Sequence, residues 1–426
     1  MSSLRLPGLA QGTRTLTVVP GPVLLDRIEE GPGLASHRRR HGQPATLPAP
    51  QLLALTEEVG LRGRGGAGFP FATKLAAVLA GRGRPSLVVN LSEGEPASFK
   101  DAALALTAPH LVLDGAASVA GTLRVREIHV VVPGDEPVVE AAVRRALAER
   151  SREERLAWRV HATEPRFVAG QARAVIELLS GRENAPVTSW QPEAVRGLNN
   201  RPTLLSNAET FAQLGVLVLR GREGYTGMGT DHSPGTTLLT LRGDSGAPVV
   251  LEVAHGTPWH EVLGADVNRP VLLGGFHGTW TRAGGLVGLT VDRDELAAQG
   301  LALGAGVVLP LPDDECPLHR TSGLVAYLAG QSAGRCGPCV NGLPELAASV
   351  RELAEGAPAR ERVTQLVELV VRRGACAHPD GTARLVTSLL DAFPDEPGLH
   401  AAGRCSFSGA ARSTRTSRPR PAEAVR

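Results

Sequence analysis

The sequence predicts an α/β domain followed by a small β-rich module and a C-terminal helical bundle, and three observations carry that reading. From about 51 to 230, helical patterns at 51–60, 71–80, 137–150 and 171–180 alternate with Val-rich runs, SLVVN at 86–90 and EIHVVVP at 127–133. Such alternation is expected of a largely parallel sheet covered by helices. From about 236 to 295 the chain turns to short strands with Gly turns, TTLLTLRG, VVLEV and PVLLGG, with one short helix expected at 258–264. From 321 to 393 apolar residues recur at helical spacing, at 343, 346, 350 and 353, then 363, 366, 367, 370 and 371, then 385, 386, 389 and 390, which predicts three or four helices.

These shifts divide the chain into an N-terminal extension at 1–50, the α/β domain at 51–235, the β-rich module at 236–295, the helical domain at 296–405 and a tail at 406–426. The tail has few apolar residues from 409 onward and is expected to be disordered. A chain of 426 residues is long enough for two or three domains with cores of their own. With aromatics at 3%, those cores must rest on Leu, Val and Ala.

Charge nearly cancels, 45 basic against 43 acidic residues, so no overall field draws the protein to nucleic acid or an anionic membrane. The apolar stretches 102–121, interrupted by His110 and Asp114, and 299–312 are too short or too broken to span a bilayer. No direct membrane insertion is expected. The first residues lack an apolar core of the signal-peptide kind, which makes the cytoplasm the expected compartment. The basic run His37 to His41 reads as a solvated surface patch without function.

Five cysteines, at 316, 336, 339, 376 and 405, all fall in the last third. In a reducing compartment such clustering argues for metal or redox chemistry more than for disulfides. Cys316 reads as a loop residue and Cys405 lies beside the tail; neither has a partner by spacing.

Two motifs carry the first chemistry. Gly63-Arg64-Gly65-Gly66-Ala67-Gly68-Phe69-Pro70 contains a formal GxGxxG, but the segment before it, QLLALTEEVGL, has helical rather than strand spacing, so the dinucleotide-fold context is missing. What remains is an anion cradle: consecutive glycines let backbone N–H groups approach a ligand, and Pro70 starts a helix whose positive end faces it. Lys74 lies on the first turns of that helix. The second motif follows SLVVN with Asn90, Ser92, Glu93, Gly94, Glu95 and Pro96, then Phe99, Lys100 and Asp101. Polar groups there occupy the carboxyl end of a strand, the usual ligand edge of an α/β domain. Only two of the 45 basic residues are lysines, and both, Lys74 and Lys100, fall in these motifs. Against these readings stand a tight interdomain turn and an ordinary surface turn.

GLRGRGGAGFP at 60–70 with Lys74, and NLSEGEPASFKD at 90–101, resemble the flavin-binding motifs of the NADH-oxidising flavoprotein subunit of respiratory complex I, the 51 kDa-type or F subunit of NADH-quinone oxidoreductase. NAD-linked hydrogenases and formate dehydrogenases have related subunits. The similarity continues in order through PHLVLDGA at 109–116, Gly170 with AVIELLSG, GLNNRPTLLSNAETFAQLG at 197–215, LGAGVVLPLPDDE at 303–315 and GRCGPCVNG at 334–342. The resemblance makes this chain a divergent member. It implies that 51–235 is a flavin-binding α/β domain, 236–295 a ubiquitin-like β-grasp module of the soluble-ligand-binding type, and 296–405 a helical iron-sulfur-type domain.

It further implies a non-covalent FMN held by Gly63, Arg64, Gly65, Gly66, Lys74, Asn90, Glu93, Glu95, Gly170 and Asn207, the flavin itself carrying the catalysis. The expected partners are other electron-transfer subunits, ferredoxin-like or a membrane redox protein, through which alone the chain would meet the cytoplasmic face of a membrane.

The departures bear on the other sites. The family's acidic GEE motif, where carboxylates meet the nicotinamide nucleotide, reads Gly170-Gln171-Ala172. Ser92 and Ser206 stand where the family has Asp and Asn. Phe69 is kept, but Ala77 replaces an aromatic residue and GRENAPVTSW has no counterpart of the KPPF segment. These losses argue against NAD(H) binding. At the 4Fe-4S cluster the first family position is Ala333, followed by Cys336, Cys339 and Cys376. A cluster then requires a fourth ligand from Cys316, Cys405, His378 or a small molecule; the alternative is a relict site of buried thiols.

Three functions stay open: a flavin-dependent electron-transfer oxidoreductase with a degraded NAD site, a functional NAD(P)H dehydrogenase subunit, and a non-catalytic binding scaffold.

Overall fold

Valine and leucine runs dry on both faces build the layer that positions the site. The computed structural model describes residues 3–6, 15–151, 153, 155–242 and 247–407; the tail expected from 409 lies outside them. Two short strands come first, β1 (Leu4–Leu6) and β2 (Leu16–Val18). The first sheet follows with β3 (Ser86–Asn90), β4 (Glu127–Pro133), β5 (Ala157–Thr163) and β6 (Thr203–Asn207), in the order β5-β4-β3-β6. All its neighbours are parallel. β3 and β4 coincide with the two Val-rich runs. Their inner residues alternate between two cores: Leu87, Val89, Val130 and Val132 pack under the helices Pro109–Leu123 and Ala208–Thr226, whereas Val88, Val131 and Leu205 pack under the helix Ala172–Leu179. Burial on both faces is why these strands read as continuous apolar runs.

The helical patterns at 51–60, 71–80, 137–150 and 171–180 become Ala49–Glu58, Phe71–Ala80, Pro137–Arg150 and Ala172–Leu179. The short helix expected at 258–264 is Trp259–Leu263. The second sheet adds β7 (Thr236–Arg242), β8 (Pro248–Ala254), β9 (Val271–Leu273), β10 (Thr279–Trp280) and β11 (Val307–Pro310), in the order β1-β2-β8-β7-β11-β9-β10. The N-terminal segment therefore completes this sheet, β2 running parallel to β8. Beyond it, helices Pro317–Gly330, Leu343–Ala354, Arg360–Val370 and His378–Ala392 share a core that includes Leu328, Leu346, Val350, Val363, Val386 and Leu389.

The run His37 to His41 corrects the expectation of a solvated patch. His37 is buried with its Nε2 2.7 Å from Asp114, and Arg38 reaches the same carboxylate at 2.9 Å. Arg40 donates to the carbonyls of Asp26, Arg27 and Gly31. Asp114 is fully buried inside the helix Pro109–Leu123, and Arg150 completes its neutralisation at 2.7 Å. A buried carboxylate has to be paired and hydrogen-bonded, and two of those partners, His37 and Arg38, come from the basic run. The apolar consecutive helices Lys100–Thr107 and Pro109–Leu123 meet at 95°, and among the described residues no single helix is long and apolar enough to cross a membrane.

Candidate flavin and cluster sites

Parallel register brings the first sheet's polar ends together. Asn90 at the end of β3 pairs in register with Asn207 at the end of β6. Asn207 caps the helix Ala208–Thr226, its Oδ1 accepting the Thr210 N–H. Asn90 turns toward the other side of the edge, where its Nδ2 donates to the Gly170 carbonyl at 2.7 Å and its Oδ1 accepts from the N–H and hydroxyl of Ser92.

The glycine loop lies over this edge. It is pinched at its neck, where the Gly63 N–H donates to Phe69 and the Phe71 N–H to Leu61, and it is fastened to the neighbouring helix by the Arg64 N–H on the Thr210 hydroxyl at 2.8 Å. A Cβ on Gly65 would rest 3.8 Å from Asn207, and Gly66, at φ +102°, takes a conformation that side chains rarely adopt.

Arg64 is buried beneath the loop. Its Nη2 donates to the Thr236 carbonyl at 3.0 Å and its Nε stands 3.9 Å from Glu209 without a hydrogen bond. Arg293, from the start of the helix Arg293–Ala298, brings its guanidinium to within ordinary contact of a Cβ built on Gly68, and its buried Nε also lacks a hydrogen bond. Burial, then the neighbouring Arg64, pulls the Arg293 group down to about 10, so it stays charged at neutral pH. Glycine backbone and guanidinium groups with unspent N–H donors suit a phosphate-bearing ligand. The residues fit FMN on that ground. A cleft of about 1280 Å³ lined by Arg84, Ser86, Arg126, Glu127 and Arg150 opens at the opposite end of the sheet and takes no part in this arrangement.

Lys74, in the helix Phe71–Ala80, donates to the Leu205 carbonyl at 2.9 Å, lies 3.4 Å from Glu193, and stands 6.0 Å from the Phe69 ring. Glu93 and Glu95 face inward. Glu93 accepts from the Ser98 hydroxyl and the Ala102 N–H, and burial followed by repulsion from Asp101 raises it to about 7. Glu95 accepts from Phe276 and Ala97, and burial raises it to about 7 as well.

Sequence reasoning did not assign the residues that tie these pieces together. Lys100 is buried 2.8 Å from Asp101 and 3.2 Å from Glu209; burial alone would lower its pKa, but the carboxylates hold it above the usual lysine value. Glu209 in turn accepts the Leu238 N–H and the Thr237 hydroxyl of β7, joining the two sheets. Lys100 and Asp101 stand in the second motif, where the rarity of lysine is the one signal that marks them. Arg293 comes from a distant segment and left none.

Three of the five cysteines come together. The Cys336 and Cys339 sulfurs are 3.5 Å apart, and Cys376 lies close enough to interact electrostatically with both, with Gln171 beside its thiol. Burial pushes the Cys339 thiol up to about 11 and Cys376 upward; metal binding, which takes the thiolate, opposes that. The donor set fits three corners of an iron-sulfur cluster. The protein ligands expected for the fourth corner are placed elsewhere. His378 spends Nε2 on the Leu328 carbonyl and faces His277 with Nδ1. Cys316 meets His400, at the end of the helix Pro317–Gly330 away from Cys336.

Residues 56–215 match the model of the Nuo51 FMN-binding domain, and residues 321–400 that of the NADH-ubiquinone oxidoreductase-F iron-sulfur binding region. The second NADH-quinone oxidoreductase F-type subunit of Rhizobium meliloti (strain 1021) is 29% identical over 414 residues, covering 91% of this chain and 97% of that protein. The NADP-reducing hydrogenase subunit HndC of Solidesulfovibrio fructosivorans is 25% identical over 379 residues, covering 83% and 77%. In fold, the chain resembles one in the crystal structure of NAD+-reducing [NiFe]-hydrogenase in the air-oxidized state, with a TM-score of 0.76 and 24% identity over 90% of this chain and 67% of that one.

Proposed function

The chain belongs to the family of flavin-binding, NADH-oxidising F-type subunits of complex I and their hydrogenase relatives, and from that premise we propose that it is an FMN-dependent electron-transfer subunit with a degraded NAD site. Electrons pass from its flavin to an iron-sulfur centre or partner. The observation that carries this reading is the glycine loop over the sheet edge, with Asn90 and Asn207 in register beneath it and Arg64 buried behind it with an unspent N–H. Bound flavin supplies the redox chemistry and the protein supplies position and electrostatics.

In this reading Gly63, Gly65 and Gly66 let the backbone approach the phosphate, and Arg64 supplies positive charge. Lys74 stands at the ring side with Phe69, and the hydrogen bond from Asn90 to Gly170 sets the opposite wall. Glu93 and Glu95 hold protons close to neutrality, so their charge responds to a neighbouring group. Gln171, next to Gly170 of that wall, lies beside the Cys376 thiol, which gives a short route toward Cys336, Cys339 and Cys376. The segment 236–295 reads as the β-grasp module and 296–405 as the helical iron-sulfur domain, with a ferredoxin-like protein or a membrane redox protein as the electron acceptor.

The nucleotide side is where this chain differs. Gln171 and Ala172 bring no carboxylate to meet a nicotinamide ribose. The purified protein should therefore be yellow, with a flavin spectrum that NADH bleaches slowly or not at all. A colourless protein would remove the flavin claim, and rapid bleaching would restore the dehydrogenase alternative. In the same assay Lys74→Ala should lower FMN occupancy several-fold, and undiminished occupancy would take Lys74 out of the site.

A further inference from the structure

The two cysteines left over from the cluster site meet at one histidine, His400, at the far end of the helical domain. Cys316 precedes the helix Pro317–Gly330 and Cys405 follows the helix Glu396–Ala401. Both reach the same histidine: Cys316 Sγ lies 3.3 Å from His400 Nε2, and Cys405 Sγ falls within 4.8 Å of a His400 ring nitrogen. The donor atoms of Cys316, His319 and His400 all lie within 4.8 Å of one another, as do those of Glu396, His400 and Cys405. We propose that Cys316, His319, His400 and Cys405 form a structural zinc site.

The orientation of His400 is what a metal requires. Its Nδ1 is 2.6 Å from the Ala354 carbonyl. A carbonyl only accepts, so Nδ1 carries the proton and Nε2 turns its lone pair toward the sulfur. Metal-bound histidines are held in this way by a hydrogen bond from the other ring nitrogen. Glu396, buried and 3.7 Å from the same Nε2, accepts from the Ser406 N–H and so fixes the turn that carries Cys405.

Two thiolates and two imidazoles make a donor set that selects Zn²⁺ in tetrahedral geometry. The spacings, Cys-x2-His and His-x4-Cys, suit pairs of ligands from two short segments. Ligand atoms around tetrahedral zinc stand about 3.5 Å apart, so the cluster closes on the ion by rotamer changes and small shifts. As the bonds form, the two thiol protons leave to solvent and no electron changes hands.

This site is separate from the iron-sulfur cysteines. Cys336 and Cys339 precede the helix Leu343–Ala354, whereas His400 binds the carbonyl at its last residue. At 1.5 Å per residue the two ends are about 16 Å apart. The zinc site would clamp the segment after the helix Glu396–Ala401 to the start of the helix Pro317–Gly330 and owes nothing to the flavin.

The test is metal analysis of the full chain purified anaerobically, beside a Cys336→Ser/Cys339→Ser/Cys376→Ser variant that lacks the cluster ligands. One zinc per chain should be present in both. Cys405→Ser and His400→Ala should each lower zinc at least tenfold. Cobalt(II) added to the zinc-free full chain should give thiolate charge-transfer absorption, a readout that does not depend on any variant folding. A full chain without zinc and without that absorption overturns the site. So does zinc undiminished in Cys405→Ser and His400→Ala, or a Cys316–Cys405 disulfide in the anaerobic protein.

Discussion

Glu95 shows how much a single side chain in this molecule is asked to do. Its carboxylate accepts the Phe276 N–H from the loop after β9, so it joins the second motif of the first sheet to the second sheet. Burial raises it to about 7 from an ordinary value of 4.5, so the folded protein holds this proton more tightly than the unfolded chain does. The resulting stabilisation is complete below about pH 4.5 and is lost as pH rises through about 7. Glu95→Gln keeps an acceptor for Phe276 and removes the titration. Urea unfolding from pH 5 to 8 should show wild type losing on the order of 1–2 kcal/mol more than the variant, and parallel profiles would show that the burial of Glu95 is not felt. The lysines divide at this scale. Both were marked by their rarity, yet Lys100 is an internal counter-ion to Asp101 and Glu209, whereas Lys74 is half-buried at the sheet edge.

Among the elements, those with a strong local signal were legible and the short ones were not. SLVVN and EIHVVVP gave β3 and β4 to the residue, because strands buried on both faces are uninterrupted apolar runs. β5, with Arg159 and His161, lies at the edge of its sheet and shows no such run. β1, β2 and β11 have only three or four residues each and owe their existence to their neighbours. Glycines mark the closest packing between elements: a Cβ on Gly115 would run into the Phe211 carbonyl and one on Gly215 into that of Leu111, so the helices Pro109–Leu123 and Ala208–Thr226 meet backbone to backbone. Gly115→Ala should cost about 3 kcal/mol in chemical denaturation. A loss under about 0.5 kcal/mol would mean that the helices part without penalty.

Across the whole molecule, buried charges hold the distant parts of the chain together. Glu252 on β8 accepts the N–H groups of Val23, Leu24 and Leu25 and the Thr236 hydroxyl, which locks the N-terminal segment onto the second sheet. Glu252→Ala leaves those buried donors unpaired and should destabilise the protein by about 3 kcal/mol or more. Limited proteolysis should then cut within residues 20–33 well before wild type, and an unchanged pattern would show that the β2–β8 pairing holds the segment by itself.

The sequence by itself determined the helices and main strands of the first sheet, the polar motif that ends β3, and the family. These are written in periodicities and loops a few residues long. Tertiary structure alone decided that His37 and Arg38 of the basic run pair with a buried carboxylate, that Glu209 and Arg293 stand beside the glycine loop, and that Cys316 meets a histidine 84 residues away. Each of these depends on where a buried charge or donor finds its partner. That partner is chosen by packing across the fold, and local sequence holds no record of it.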